Sequence, residues 1–221
     1  MKPATKVTLL VVAILLIDQA LKFWVKTSME YGEEIFIFGL SWARLHFVEN
    51  NGMAFGLSLG GEYGKLALSL FRIVAIGFLI YYIRFLIREK ASLGLLASFG
   101  LILAGAIGNI LDSAFYGLIF SASAHHTVAT LFPPEGGYAG FLHGMVVDMF
   151  YFPLVEDKMV PSWVPFWGGQ PFTFFRPVFN VADSAITTGV FTLILFHRQF
   201  FSGHIHTAEK TAPAATTPDE A

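Results

Sequence analysis

Four stretches of this chain, 7–25, 64–87, 93–113 and 179–201, are long and apolar enough to cross a lipid bilayer. A helix rises about 1.5 Å per residue, so a hydrocarbon core takes about 20 apolar residues to cross. Inside lipid the backbone must satisfy its own hydrogen bonds, so each stretch reads as a spanning helix. The composition agrees: 55% of residues are hydrophobic and 14% charged, against roughly 25% charged in soluble domains. Lys2 and Lys6 precede the first apolar run, as in a cleavable leader, but no small-x-small cleavage site follows. The run continues through Asp18 to Val25 and reads as an uncleaved first span.

Lysine and arginine in short loops set the orientation of a membrane protein. Lys2, Lys6, Arg84, Arg88, Lys90, Arg198 and Lys210 all fall on one face, which is expected to be cytoplasmic with both termini. The long loops, 26–63 and 114–178, then lie outside. There Glu30, Glu33, Glu34, Glu49, Glu62, Glu156 and Asp157 make acidic residues outnumber basic ones. The expected class is an all-α membrane protein, with a four-span domain at 1–202. The tail 203–221, rich in Ala, Thr and Pro, is expected to be disordered and cytoplasmic. Two segments of the outer loops break the helical pattern. Ile35–Phe38 and Trp42–Val48 are rich in β-formers and read as short strands, with Phe36, Phe38, Trp42 and Phe47 at headgroup level. Pro153–Pro177, rich in proline and aromatics, reads as an interfacial flap rather than a helix.

The polar residues within the apolar stretches concentrate in the outer half of the bilayer. Asp18 and Lys22 share a helix face at i,i+4, roughly 18 and 24 Å above the inner surface. Asn109 and Asp112 lie one turn apart, roughly 25 Å or more up. Gly100, Ala104 and Gly108 form a stripe of small residues on the same span, suited to close helix packing. Asn180 and Asp183 sit at the head of the last span. There they also fit a plain helix cap and a carboxylate complementing the helix dipole. Asp148 stands alone in the apolar run Gly144–Phe150; such a residue is more often a turn or cap aspartate. A proton or ion path would need polar groups strung through the whole depth, so gathering in one half favours a site opening to the outer leaflet.

The residue inventory narrows the chemistry further. The chain has no cysteine, which removes disulfides, thiolate nucleophiles and thiolate metal sites. There is no Gly-x-Ser-x-Gly elbow and no His-Glu-x-x-His. The histidines at 125, 126, 143, 204 and 206 are scattered, so no metal site is expected. The net charge of -2 argues neither for nor against nucleic acid, but there is no basic patch with interleaved aromatics, and no nucleic-acid partner is expected. Carboxylates remain. Two that face each other cannot readily both ionise, so one keeps a proton while the other acts as base, and such a pair can activate water against an amide.

In this order along the chain, the residues resemble the motifs of the lipoprotein signal peptidases (signal peptidase II). The first motif is matched by Asp18-Gln19 with Lys22, and the Asn-x-Gly-Ala-Ala-Phe motif by Asn50 to Phe55. Gly105 to Asp112 is similar to Gly-Gly-x-x-Gly-Asn-x-x-Asp-Arg, Val146-Val147-Asp148 to Val-Val-Asp-Phe, and Phe179 to Ile186 to Phe-Asn-x-Ala-Asp-x-x-Ile. The resemblance implies an intramembrane aspartyl endopeptidase with Asp148 and Asp183 as the catalytic pair. Asp18, Lys22, Asn50, Gly52, Asn109, Asp112 and Asn180 would support the pair or contact substrate. It implies four transmembrane helices, a small periplasmic β-element and a long outer loop over the site. It further implies a bacterial inner-membrane location with the site facing the periplasm, and diacylglyceryl-modified prolipoproteins as substrates, cut before the lipidated cysteine. No cofactor is needed, membrane lipids are the surroundings, and a monomer is expected. Three departures stand out. Ser113 occupies the place of an arginine, for which Arg176 is a candidate substitute; Met53 replaces an alanine; and insertions fall near 119–142 and 153–177. Two other readings use the same residues: a proton-coupled transporter, and an assembly factor whose polar groups only hold helices together.

Overall fold

The computed structural model describes residues 1–52 and 61–197. Met53, Ala54 and Phe55 of the second motif, the end of the last span at 198–201, Arg198, Lys210 and the tail at 203–221 lie outside the described residues. Helix α1 covers Pro3–Ser28, with Pro3 in its first turn, where a missing N–H costs nothing. Helix α2 covers Gly61–Arg88 and α3 covers Leu93–Leu111. The Ser92 hydroxyl caps α3 by accepting from the Leu95 N–H at 3.3 Å. After Leu111 the helix loosens into a π turn, Asp112–Tyr116, and ends in one further turn, α4, at Gly117–Ile119. The last helix, α5, covers Val181–Phe196. Three helices of the described residues are long and apolar enough to span, at Pro3–Ser28, Tyr63–Arg88 and Leu93–Ile119; Val181–Phe196 is apolar but shorter.

The chain is not all-α. Among the described residues six strands form two sheets, and the reason is the outer loops. Strands β1 (Glu34–Phe36), β2 (Arg44–Asn50), β3 (Val146–Tyr151) and β6 (Val178–Phe179) pair antiparallel in the order β1-β2-β3-β6. Strands β4 (Val155–Met159) and β5 (Pro171–Phe174) form a separate antiparallel pair. The first two strands fall close to the stretches rich in β-formers. Between them Ile37–Gly39 makes a tight turn with Phe38 at φ 51°, its ring 96% exposed. The run holding Asp148 is a strand rather than a turn, because its apolar residues fill both faces between β2 and β6. The segment 153–177 contains no helix, as expected, but β4 and β5 pair within it as an antiparallel ladder whose register shifts between Val155 and Lys158.

Helix α3 is the axis of the bundle and packs against α1, α2 and α5. At one end Val7, Val11, Ile83, Leu86, Leu95, Leu96 and Leu193 form an apolar cluster, so α1 and α3 run parallel while α2 and α5 run opposite. The small residues of α3 set its spacing from its neighbours. Gly100 faces Val7, and a Cβ at Gly105 would come within 2.2 Å of the Ala182 carbonyl. Only glycine lets α3 and α5 lie that close. A second cluster, Val25, Met29, Phe47, Tyr116, Phe120, Val147 and Met149, fastens the sheet over the other end of the bundle.

Candidate active site

Close packing at Gly105 and Gly108 brings the head of α5 against the end of α3 and against Asp18 of α1. The Asp18 carboxylate accepts from the Ala182 N–H at 2.8 Å, so an α1 side chain takes up one of the free N–H groups of the first turn of α5. Lys22, fully buried, binds Asp18 at 3.0 Å and Asp112 at 2.8 Å and donates to the Asn109 side-chain amide oxygen at 3.0 Å. Gln19 adds a second tie to Asp112 at 2.9 Å and is itself held by the Tyr116 hydroxyl at 3.2 Å. A buried ion pair is costly unless its remaining donors and acceptors are satisfied. Here the lysine meets three oxygens, which meets that condition.

Above this ion cluster lies a layer built from amides. Asn180 caps α5: its side-chain oxygen accepts from the Asp183 N–H at 2.9 Å, and Asp183 accepts from the Asn180 N–H. This reciprocal cap is the ordinary role that a helix-head Asn and Asp allow. The Asn180 NH₂ group does more, donating to Asp148 at 2.7 Å, to Asn109 at 3.1 Å and to the Val147 carbonyl at 3.2 Å. Asn109 in turn donates to Asp183 at 2.8 Å. One cap residue thus links Asp148 on β3 to Asp183 on α5. The sheet register supplies the other side of Asp148. Val48 of β2 pairs with Asp148, which makes Asn50 its diagonal neighbour on the same face, and the Asn50 NH₂ donates to the carboxylate.

The two aspartates differ in setting. Asp148 is 4% exposed, whereas Asp183 is half-buried. Burial, and then the charge of Asp183, push the Asp148 carboxyl up to about 8. Neither forms an ion pair among the described residues, while Asp18 and Asp112 share Lys22. No cluster of three or more His, Asp or Glu residues with metal-binding geometry occurs among the described residues.

The structure brings Asp18, Lys22, Asn50, Asn109, Asp112, Asn180 and both aspartates into this network. Gly52 adjoins it at φ 86°, in the left-handed region that favours glycine, where its N–H donates to Asn50. Arg176 does not join; it is exposed in the segment before β6. Ser113 is buried and its hydroxyl turns back to the Asn109 carbonyl at 3.2 Å. Two cations escaped the sequence reading. Lys26, in the last turn of α1, is buried against Glu49 at 2.6 Å and Ser123 at 2.8 Å, and ties the sheet and the 119–142 insertion to the bundle. Arg72 of α2 donates to the Gly52 carbonyl and lies within electrostatic reach of Asp183, Asp112 and Asp148. An arginine inside an apolar span is itself a functional signal.

Comparison with known proteins places this arrangement. A lipoprotein signal peptidase of Porphyromonas gingivalis is 51% identical over 214 residues, covering 96% of this chain and 91% of the relative. One from Amoebophilus asiaticus is 38% identical over 198 residues, covering 88% and 78%. Among solved structures, a bacterial membrane enzyme determined by the in meso method at 2.3 Å resolution has a TM-score of 0.56. It is 20% identical and covers 94% of both chains, a likeness of fold. The family profile described as signal peptidase (SPase) II matches residues 10–199, which takes in every residue of the network above, and the chain belongs to that family.

Proposed function

We propose that the protein is a bacterial membrane aspartyl endopeptidase that removes the signal peptide from diacylglyceryl-modified prolipoproteins, with Asp148 and Asp183 as its catalytic pair. One observation carries the assignment of the pair. Of the four aspartates in the network, Asp18 and Asp112 pair with Lys22, while Asp148 and Asp183 are held by neutral amides. A neutral amide orients a carboxylate without cancelling its charge, so these two keep the freedom to exchange protons.

The chemistry follows from that difference. The ionised member takes a proton from water as the water oxygen bonds to the scissile carbonyl carbon. The protonated member donates to the carbonyl oxygen; when the C–N bond breaks, the proton taken from water passes from the first member to the departing nitrogen, and the other member recovers its proton as the gem-diol becomes the carboxylic acid. Burial and the charge of Asp183 raise the Asp148 carboxyl, so the pair keeps one proton at neutral pH and titrates as a unit. The diacylglyceryl chains, lying in the bilayer, fix the position of the bond before the modified cysteine and contribute orientation rather than chemistry. No cofactor enters this scheme.

The membrane arrangement belongs to the same proposal. The four-span domain covers 1–202 with α5 as the fourth span, both termini are cytoplasmic, the site faces the periplasm, and the protein works as a monomer. The supporting feature is that α1, α2, α3 and α5 place Lys2, Lys6, Arg84, Arg88 and Lys90 toward one end and the carboxylate network toward the other. The test is cleavage of a lipid-modified peptide spanning the junction, by the wild type and by Asp148→Asn and Asp183→Asn. Turnover in the wild type and none in either variant supports the pair; turnover in either variant rules it out.

A further inference from the structure

Arg72 is the cation of this region that the ion cluster does not use. It lies eleven residues into α2, roughly 16 Å along the helix from its start, so exposure to lipid would be costly. Ser69, one turn earlier on the same face, is buried and donates to the Leu142 carbonyl at 3.1 Å, which shows that this face of α2 turns inward. The guanidinium donates to the Gly52 carbonyl, and a Cβ at Gly52 would lie 2.6 Å from Arg72 Nη1, so the turn after β2 rests on the arginine. Among the described residues Arg72 makes no ion pair, although Asp183, Asp112 and Asp148 all act on it electrostatically. The other α2 cation near this turn, Lys65, binds Asn51 at 3.2 Å.

A count of donors shows what this leaves. Lys22 is shared among Asp18, Asp112 and Asn109. Asn50 and Asn180 donate to Asp148, and Asn109 donates to Asp183. Each is therefore already engaged with the site's own oxygens. A peptide entering beside the two aspartates brings backbone carbonyls, each of which needs a donor once it leaves water. An arginine carries five N–H donors in a rigid fork, and one of them meets Gly52. Resting on the proposed peptidase activity, we infer that Arg72 is a substrate-binding residue: its guanidinium donates to a main-chain carbonyl of the signal peptide next to the scissile bond. Ser113, turned back onto its own helix, cannot fill that role.

The experiment is steady-state cleavage of a diacylglyceryl-cysteine peptide by the full-length protein in detergent, with thermal unfolding measured alongside. The variants are Arg72→Met, Arg72→Lys and Arg72→Gln, the last of which can still donate to the Gly52 carbonyl. A hydrogen bond from a charged donor predicts that KM rises about ten- to a hundred-fold in Arg72→Met and Arg72→Gln. The unfolding temperature of Arg72→Gln should stay near that of the wild type, and Arg72→Lys should recover part of the loss. A folded Arg72→Gln with wild-type KM overturns the inference, as does a loss of activity that only follows a loss of folded protein across the three variants. Wild-type protein that fails to cleave the peptide overturns the peptidase reading and this inference with it.

Discussion

The two ends of helix α3 pack against the same neighbouring helices with opposite chemistry. From Leu95 to Ala104 the contacts are Val7, Val11, Ile83, Leu86 and Leu193, all apolar. From Gly105 to Asp112 they are Asp18, Lys22, Ala182 and Asn180, and the buried groups are joined by hydrogen bonds and ion pairs. Lipid is as apolar as leucine, so the apolar end gains from close packing rather than from escape from water. The polar end must satisfy each group it buries, and does so by linking three helices and a strand. One end holds the bundle together, and the other gathers the charged and polar groups of the proposed site.

Four experiments would sharpen or break that contrast. The largest effect is expected at the polar end: Asp148→Asn or Asp183→Asn should lower cleavage by at least about a thousand-fold, or about 4 kcal/mol of barrier, in protein that still folds. A radiolabelled or fluorescent lipopeptide assay checks this. Next, Lys22→Met leaves Asp18 and Asp112 buried without their cation and should destabilise the fold by about 3–5 kcal/mol. Thermal unfolding in detergent reads that loss, and an unchanged midpoint would show that the ion cluster does not bear on stability.

At the apolar end, Leu96→Ala should cost about 2 kcal/mol of stability while kcat/KM stays at the wild-type value below the unfolding transition. A matching loss of kcat/KM would erase the division of labour between the two ends. The fourth experiment concerns pH. Cleavage needs one protonated member of the pair, so kcat/KM should fall as pH rises through about 8, where the pair gives up its remaining proton. The same shift has a sign for stability. Between the ordinary value of 3.8 and about 8, the folded protein binds a proton that the unfolded chain has released, so stability falls as pH rises across that window. Asp148→Asn should flatten that decline, as thermal unfolding at a series of pH values would show.

The helices were legible because lipid makes the backbone problem local. A run of about 20 apolar residues has one solution, and α1, α2 and α3 enclose the runs read at 7–25, 64–87 and most of 93–113. The all-α class failed because the outer loops are long enough to build their own sheets, and strand pairing depends on partners far away in sequence. Asp148 shows this most clearly. In sequence it is a lone carboxylate in an apolar run, and its environment comes from Asn50 and Asn180, 98 and 32 residues distant. Asn180 shows a different limit. Its capping role can be read from the sequence, but its second role, reaching Asp148, depends on where β3 lies.

Read without its fold, the sequence shows which segments are long and apolar enough to cross a membrane, that carboxylates are the available chemistry, and that the polar groups gather toward one end of those segments. Each of these follows from local composition and from helix rise per residue. Only the fold brings Asp112 to the Lys22 that Asp18 already faces, leaves Asp148 and Asp183 to neutral amides, and sets Arg72 against Gly52. Those depend on the close approach that Gly105 and Gly108 allow between helices and on the register of β2 against β3. Charge pairing is a matter of a few ångströms, and only the folded chain fixes distances of that size.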